Sequence, residues 1–503
     1  MTTVRRTDRR RAIGAGCSLA AALACTGCGG DATGPQNGKL AISVGITADT
    51  VQSEHENVLH VKVTSGGQPV AKVVTFHVVH PSLSDPPDAY IAVLAAHPLE
   101  APLWMEEDFV SSNAEGDAYA SVQLGRRAGS VQIEVRCDGV GVRDTVTFTI
   151  LPGHAVRAAA LPEDTAVTIG HTVQLDGDLL DRFGNRRGEP ASFSGASANI
   201  QVSATGLVSG NDYGVGRVVV SGAGFVDTGH VSVVPEGEIA AYQRGPYEGD
   251  TGEVVLVRLD GSNRRSIARP WAAIFVDWWG GLVAYDGAYI GNDGLGHRRI
   301  ETIGDNGASA PAILIGLSRD SRAMPRISTD GTWIYYYYVP QFFDLGRLRR
   351  VHPDGSGDAT VGPVPPVGHL YYKPSPSPDD TRLAIVTNGP DNAEVRVMDL
   401  ATNSLSSWRV VGSVPAWSPD GGQIAYIDVV AGTIRTVAPD GTGDAQRSPA
   451  GAIYLETTPA WTPDGKWLVA EGADSLLHVV QVASGMDLPL PYSGRWTSPA
   501  RHR

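Results

Sequence analysis

Through most of the chain, apolar and polar residues alternate with a period of two. Val131, Ile133, Val135 and Cys137 are separated by Gln132, Glu134 and Arg136. Val146, Phe148 and Ile150 alternate with Thr145, Thr147 and Thr149, and Val74, Phe76 and Val78 with Val73, Thr75 and His77. Successive side chains of a strand point to opposite faces, so these runs predict strands with one buried and one wet face. Cys137 falls on the buried face, as a structural thiol rather than a reactive one. The 60 Gly and 33 Pro residues punctuate the runs, which favours short strands joined by turns over long helices. The prediction is an all-β chain.

From about residue 236 the pattern becomes an internal repeat. Pro325-Arg326-Ile327-Ser328-Thr329-Asp330-Gly331, Pro374-Ser375-Pro376-Ser377-Pro378-Asp379-Asp380, Pro415-Ala416-Trp417-Ser418-Pro419-Asp420-Gly421 and Pro459-Ala460-Trp461-Thr462-Pro463-Asp464-Gly465 each lead into an apolar strand. Between them lies a second turn, Asp260-Gly261, Asp293-Gly294, Asp354-Gly355 and Asp440-Gly441, with weaker equivalents at Asp399 and Ser484. An Asp-Gly pair between strands marks a tight turn, because Gly takes the positive φ the turn needs. Each unit then holds four strands in about 45 residues, the size of a propeller blade. Residues 236–503 accommodate a six-bladed β-propeller. In its second blade Asp277-Trp278-Trp279-Gly280-Gly281 replaces the motif. The first blade starts at its second strand, Ile239 to Tyr242. Thr497-Ser498-Pro499-Ala500 echoes the start of a blade and is positioned to supply the missing strand, closing the ring and removing its edges. The four motif aspartates are expected to serve their own turns. Trp417 and Trp461 are expected to pack between blades, and Tyr335 to Tyr338 to alternate inward and outward.

The N-terminus follows another logic. Residues 1–27 hold five arginines and an apolar stretch from Ala12 to Ala24 that is too short for a typical spanning helix. This is the order of an export signal. Its end resembles the lipobox of bacterial lipoproteins. Cys28, after Thr26 and Gly27, is the preferred acceptor of diacylglycerol, with Cys25 as the alternative. Residues 28–37, rich in glycine, form the tether. Arg9-Arg10-Arg11 also loosely resembles a twin-arginine signal, although a basic leader for the ordinary route explains the same residues. The formal charge is −14, and removing the arginine-rich leader makes the remainder more acidic. Such a chain has no general field for phosphate backbones, which argues against nucleic acid as a partner.

Between tether and repeats lie two further strand-rich segments. Residues 38–152 contain VKVTSGGQPVAKVVTFHVV and AEGDAYASVQLGRRAGSVQIEVRCDG, which resemble intimin/invasin-type bacterial Ig-like domains. Residues 155–234 contain VTIGHTVQLDGDLLDRFGNRRGEP and VSATGLVSGNDYGVGRVVVSG, which resemble a second group of such domains. The resemblance implies two Ig-like β-sandwiches. The PAWSPDG repeats resemble the propeller of TolB, a periplasmic protein of the Tol-Pal envelope system, and related WD-like repeats. That likeness implies the fold and leaves the activity open, because propellers host many functions. The Ig-like segments differ from TolB's α/β domain, so TolB's partners are not implied.

Candidate chemistry is sparse. There is no GxSxG, HExxH or Cys/His pairing, and no phosphate-binding glycine loop, so no catalytic residue, metal ligand or cofactor is assigned. Asp176, Asp178 and Asp181 lack the spacing of a calcium loop and fit a strand with its turn. His77 and His80 would point to opposite faces of a strand. An apparent insertion, residues 80–111, carries six acidic residues beside Trp104 and Phe109. These two aromatics are the candidate ligand-binding residues, weighed against simple packing of the loop onto the sandwich. The expectation is a non-enzymatic cell-envelope protein, lipid-anchored to a membrane at the outer membrane or a periplasmic face. The Ig-like pair would act as spacer, and the propeller would bind an envelope protein or a glycan. The rivals are a propeller hydrolase with a metal at the channel mouth and a surface adhesin.

Overall fold

The computed structural model describes residues 40–499, apart from 47–49, 53–55, 80–88, 94–104, 138–141, 196, 244–251, 271–272, 291–295, 309, 315–319, 341–345, 367–368, 389–392, 455–457 and 494. The described secondary structure is β, with no helix among the described residues. The chain divides after Leu151 into two compact units.

In the first unit, two sheets face each other across one core. One has the order Leu40–Ile46, Glu56–Ser65, Asp117–Leu124, Ala89–Val93, and the other Thr50–Gln52, Val142–Leu151, Gly129–Cys137, Val73–Val79, Glu107–Ser111. The alternating sets meet as expected: Val74, Phe76, Val78, Val131, Ile133, Val135, Phe148 and Ile150 are all buried in the core, with Cys137 among them. The apparent insertion is not a loop laid on the sandwich. It contributes Ala89–Val93 to the edge of one sheet and Glu107–Ser111 to the edge of the other. Acidic residues hid the second of these strands, Glu107–Ser111.

The second unit begins with three small sheets, among them Ala155–Leu161 with Asp176–Asp181 and Arg186–Pro190, and Asp164–Thr168 with Phe225–Val234, Gly214–Gly222 and Ser192–Gly195. They enclose a core that includes Val167, Leu179, Phe193, Val218, Val220 and Val231. The aspartates here are structural. Asp181 accepts the amides of Phe183 (2.8 Å), Asn185 (2.9 Å) and Gly153 (2.7 Å). Asp178 accepts the Gly188 and Glu189 amides and the Arg186 guanidinium.

Six consecutive antiparallel sheets follow. Their first strands are Arg495–Pro499, Ala273–Trp279, Ser321–Ile327, Leu370–Pro376, Ser413–Trp417 and Ala460–Trp461. Each touches the next, and the sixth touches the first, so they line a closed ring, a β-propeller. Closure uses the end of the chain: Ile239 pairs with Pro499 and Ala240 with Ser498. The motif turns are built as expected. Ser328, Ser418 and Thr462 each donate at 2.6 Å to Asp330, Asp420 and Asp464. Gly331, Gly421 and Gly465 take φ of 75°, 71° and 68°. Where the second copy has Asp380 instead, that residue takes φ 54°. Its carboxylate accepts the Thr329 and Asp330 amides of the preceding blade at 2.8 and 2.9 Å.

Trp417 and Trp461 lie between the fourth and fifth and between the fifth and sixth blades. The tyrosine run departs from its expectation. Tyr335 and Tyr336 are both buried, although they point to opposite faces, because a middle strand of a blade has a neighbouring blade on either side. Tyr337 and Tyr338 are half-buried, and Tyr338 donates to Asp320 at 2.9 Å.

The sandwich of the second unit is packed against the propeller. Val234 and Ala166 share one buried cluster with Ile239, Val257, Trp467, Val479 and Leu490 of the first and sixth blades. Tyr213 meets Trp467 edge-on at 4.8 Å. Ser232 donates to the Pro489 carbonyl (2.7 Å) and Thr168 to Asp260 (2.8 Å). This part of the chain is therefore a support bonded to the ring, not a free spacer. Replacing Trp467 by Ala should destabilise the unit by about 3–5 kcal/mol. A Tyr213→Ala/Trp467→Ala double-mutant cycle, followed by urea unfolding, should give a coupling of about 0.5–1.5 kcal/mol. Zero coupling would mean that sandwich and ring do not share this core.

Candidate functional site

A propeller offers two concave places, its central channel and the clefts between blades. At the channel, the inner strands of the third, fourth and fifth blades are bulged ahead of their prolines. Met324, Lys373 and Val414 take φ of 61°, 52° and 52° there, a region that non-glycine residues occupy at a cost of about 1–3 kcal/mol. These bulges carry side chains into the axis. Phe275, Met324, Arg326, Lys373, Val414 and Thr458 leave a space of only about 10 Å³, roughly one water. Lys373 donates to Ser413 at 2.7 Å.

Two buried carboxylates of the second blade stand beside this plug. Asp286 accepts the Phe275 amide (2.9 Å) within its own blade and the Met324 amide (3.2 Å) at the bulge of the next. Arg298 lies 3.4 Å from it. Asp277 accepts the Ile327 amide at 2.7 Å and faces Arg326 at 3.3 Å. Charge in a dry interior persists only when paired and hydrogen-bonded, and here it clasps one blade to the next. In sequence Asp277 stood out only as part of a degenerate motif and Arg326 only as part of a repeat copy, and Asp286 was not singled out. The available signal for Asp286 was a lone acid inside the apolar strand Leu282–Ile290.

The roomier place lies between the first two blades. A cleft of about 600 Å³ is walled by Ser266, Ile267, Arg269 and Pro270 on one side and by Tyr285, Ala288, Arg299, Glu301 and Pro311 on the other. This is within the usual size range of ligand pockets. Tyr285 donates to Glu301 at 2.7 Å, and Arg299 meets the other oxygen at 2.6 Å. Burial, reinforced by the Glu301 carboxylate, pushes the Tyr285 hydroxyl above its ordinary range, so it remains a neutral donor. Arg269 lies 2.7 Å from Glu253. Hydrogen bonding from Arg264, with Arg269 adding to it, holds the Glu253 carboxyl below the usual range. The walls thus present charges already paired with opposite charges, together with hydroxyl and proline surfaces. Such a wall suits a neutral, hydrogen-bonding ligand better than a free ion.

Of the residues singled out in sequence, Phe109 is 66% exposed on the edge strand Glu107–Ser111, opposite Thr75. Trp104 and Cys28 lie outside the described residues, as does His80. Glu107 beside Phe109 is bound by Arg136 at 2.7 Å. Among the described residues no cluster of three or more His, Cys, Asp or Glu is arranged to hold a metal, and no helix is long and apolar enough to cross a membrane.

No protein-family model matches the chain. Among solved structures it is similar to TolB from Acinetobacter baumannii, at 13% identity over 63% of this chain and 84% of that one, with a TM-score of 0.44. It is also similar to a putative TolB from Agrobacterium tumefaciens, at 13% identity, covering 52% and 92%, with a TM-score of 0.39. An oligogalacturonate lyase in complex with manganese is similar at 17% identity, covering 51% and 74%, with a TM-score of 0.33. The ring of blades rests on this chain's own strand pairing and inner-strand contacts.

Proposed function

We propose that the chain is an exported, lipid-anchored cell-envelope protein in which two Ig-like modules carry a propeller that binds a protein or glycan partner. The observation that carries this reading is the cleft between the first two blades, with its paired charges and hydroxyls. A glycan or an extended peptide offers neutral donors and acceptors in series, which match such walls. The anchor rests on Cys28 and the glycine-rich tether. The supporting sheets pack against the sixth and first blades, whereas the cleft lies between the first and second. Binding is favoured over hydrolysis because the two deep carboxylates at the channel are engaged with backbone amides and arginines. The exposed Phe109 supports an additional contact on the first sandwich, as in the adhesin reading.

Two outcomes are expected. Cys28→Ser should move the protein from the membrane pellet to the soluble fraction and abolish labelling by radioactive palmitate. Retention and labelling as in the parent would remove Cys28 as the acceptor, and Cys25→Ser then tests the alternative. In affinity capture from solubilised envelope, the parent chain should retain a specific protein or glycan. Ala288→Trp, which fills the cleft, should weaken that capture by roughly tenfold or more, about 1.4 kcal/mol. Equal capture by the two would place the binding surface elsewhere.

A further inference from the structure

The internal repeat reveals one blade in which a tyrosine–arginine–aspartate clasp of its sisters is rebuilt around a histidine. In the third blade Tyr336 pairs across strands with Arg349. Both side chains meet Asp358, the hydroxyl at 2.6 Å and the guanidinium at 2.9 Å. The fifth blade repeats this arrangement: Tyr426 pairs with Arg435, and both meet Asp444, at 2.8 Å and about 3.0–3.1 Å. In the sixth blade the corresponding pair is Ala470 and His478. Asp487 takes the place of the acid, and His478 Nδ1 lies 2.8 Å from it. The missing hydroxyl comes instead from Tyr454, on the connection from the fifth blade, which donates to Asp487 at 2.7 Å.

The histidine has a second carboxylate that the arginines lack. Its Nε2 lies 3.1 Å from Asp474, in the turn between the second and third strands of the blade. Gly472 makes room for this approach, since a Cβ there would stand 2.6 Å from Nε2. A neutral imidazole has one donor and one acceptor nitrogen. With a carboxylate at each nitrogen, only the doubly protonated ring satisfies both contacts. Arginine at this position keeps its charge throughout the accessible pH range, whereas histidine does not.

We infer that His478 is a proton-controlled latch, which as an imidazolium ties the Asp474 turn to the outer strand Asp487–Pro489 and releases it on deprotonation. Ala473 of that turn donates to the Ile453 carbonyl (3.0 Å), and the segment it meets donates from Tyr454 to the Gly432 carbonyl (2.7 Å) and buries the Tyr454 ring in the core shared by the fifth and sixth blades. It carries Ile453, 58% exposed, and the nearby hairpin of the fifth blade carries Val430, 79% exposed. The charged or titratable groups meeting the ring are Asp474, Asp487 and Tyr454. Glu471 pairs with Leu477 and so projects to the opposite face of the sheet. Burial works against the charged ring, but the hydrogen bonds and charges of Asp487 and then Asp474 outweigh it and raise the pKa above the ordinary value. Because the pKa is raised on folding, the latch contributes fully below about pH 6.5 and is lost as pH rises through the folded midpoint.

The test uses the full chain with 13C-labelled histidine, titrated by NMR from acid to alkaline pH, with His478→Arg identifying the resonance. A midpoint above about 6.5 is expected. Hydrogen exchange at Ala473, corrected for the intrinsic pH dependence, should then accelerate roughly tenfold across that transition. In His478→Arg, which restores the residue of the sister blades, it should stay flat. A midpoint at or below about 6.5 in the parent chain overturns the inference without recourse to any variant. So does the same acceleration in His478→Arg.

Discussion

The propeller depends on the pairing of Arg495–Pro499 with Glu238–Gln243. The first blade cannot complete itself from local sequence, because its own segment begins at the second strand. Until the end of the chain returns, the first and sixth blades each present an open face and an unpaired strand edge. Once it returns, every blade has a neighbour on both sides. That explains why middle strands such as Ile334–Val339 bury rings on both faces. It also explains why the supporting sandwich sits where it does. Its cluster with Ile239, Val257, Trp467 and Leu490 spans the first and sixth blades, the two joined by the returning strand. The sandwich thus buttresses the one junction of the ring that local folding does not supply.

Much of this architecture was legible because it repeats. Asp330, Asp420 and Asp464, each followed by glycine, announce turns whose hydrogen bonding is fixed within five residues, so no distant partner need be known. The echo of Thr458-Pro459-Ala460 in Thr497-Ser498-Pro499-Ala500 was enough to foresee the closure. Alternation likewise placed Cys137, Phe148 and Ile133 inside the first sandwich. The strand Glu107–Ser111 was not legible, because an edge strand has little to bury and its acidic residues resemble a loop. The tyrosine run misled for the opposite reason. Period two assigns faces correctly, but it cannot say that both faces are covered.

The candidate site was the least legible part. Its cleft is made by residues from two blades, Arg269 and Pro270 against Arg299 and Glu301, that no motif links. Asp277 and Asp286 likewise act across a blade boundary, on Ile327 and Met324. Sequence marks them only as polar interruptions of apolar strands. The second blade, which has lost the repeat signature, is also the blade that supplies these carboxylates and half of the cleft wall. A repeat is kept where its residues serve the common scaffold, and departures from it mark positions with a different task.

The same reasoning applies to the sixth blade, where the departure centres on His478. Arg349 and Arg435 show what the position needs structurally: a cation that bridges its strand to the acid nine residues on. Histidine meets that need only while protonated, and neutral it leaves a lone pair facing a carboxylate. Were the position purely structural, a second acid at Asp474 would add nothing that arginine lacks. Its presence makes sense if the charge on the ring has to be sustained, because both carboxylates work against the desolvation of the ring. The arrangement is therefore more stable than a lone histidine clasp and less permanent than an arginine one, which is the range in which a change of pH can open it.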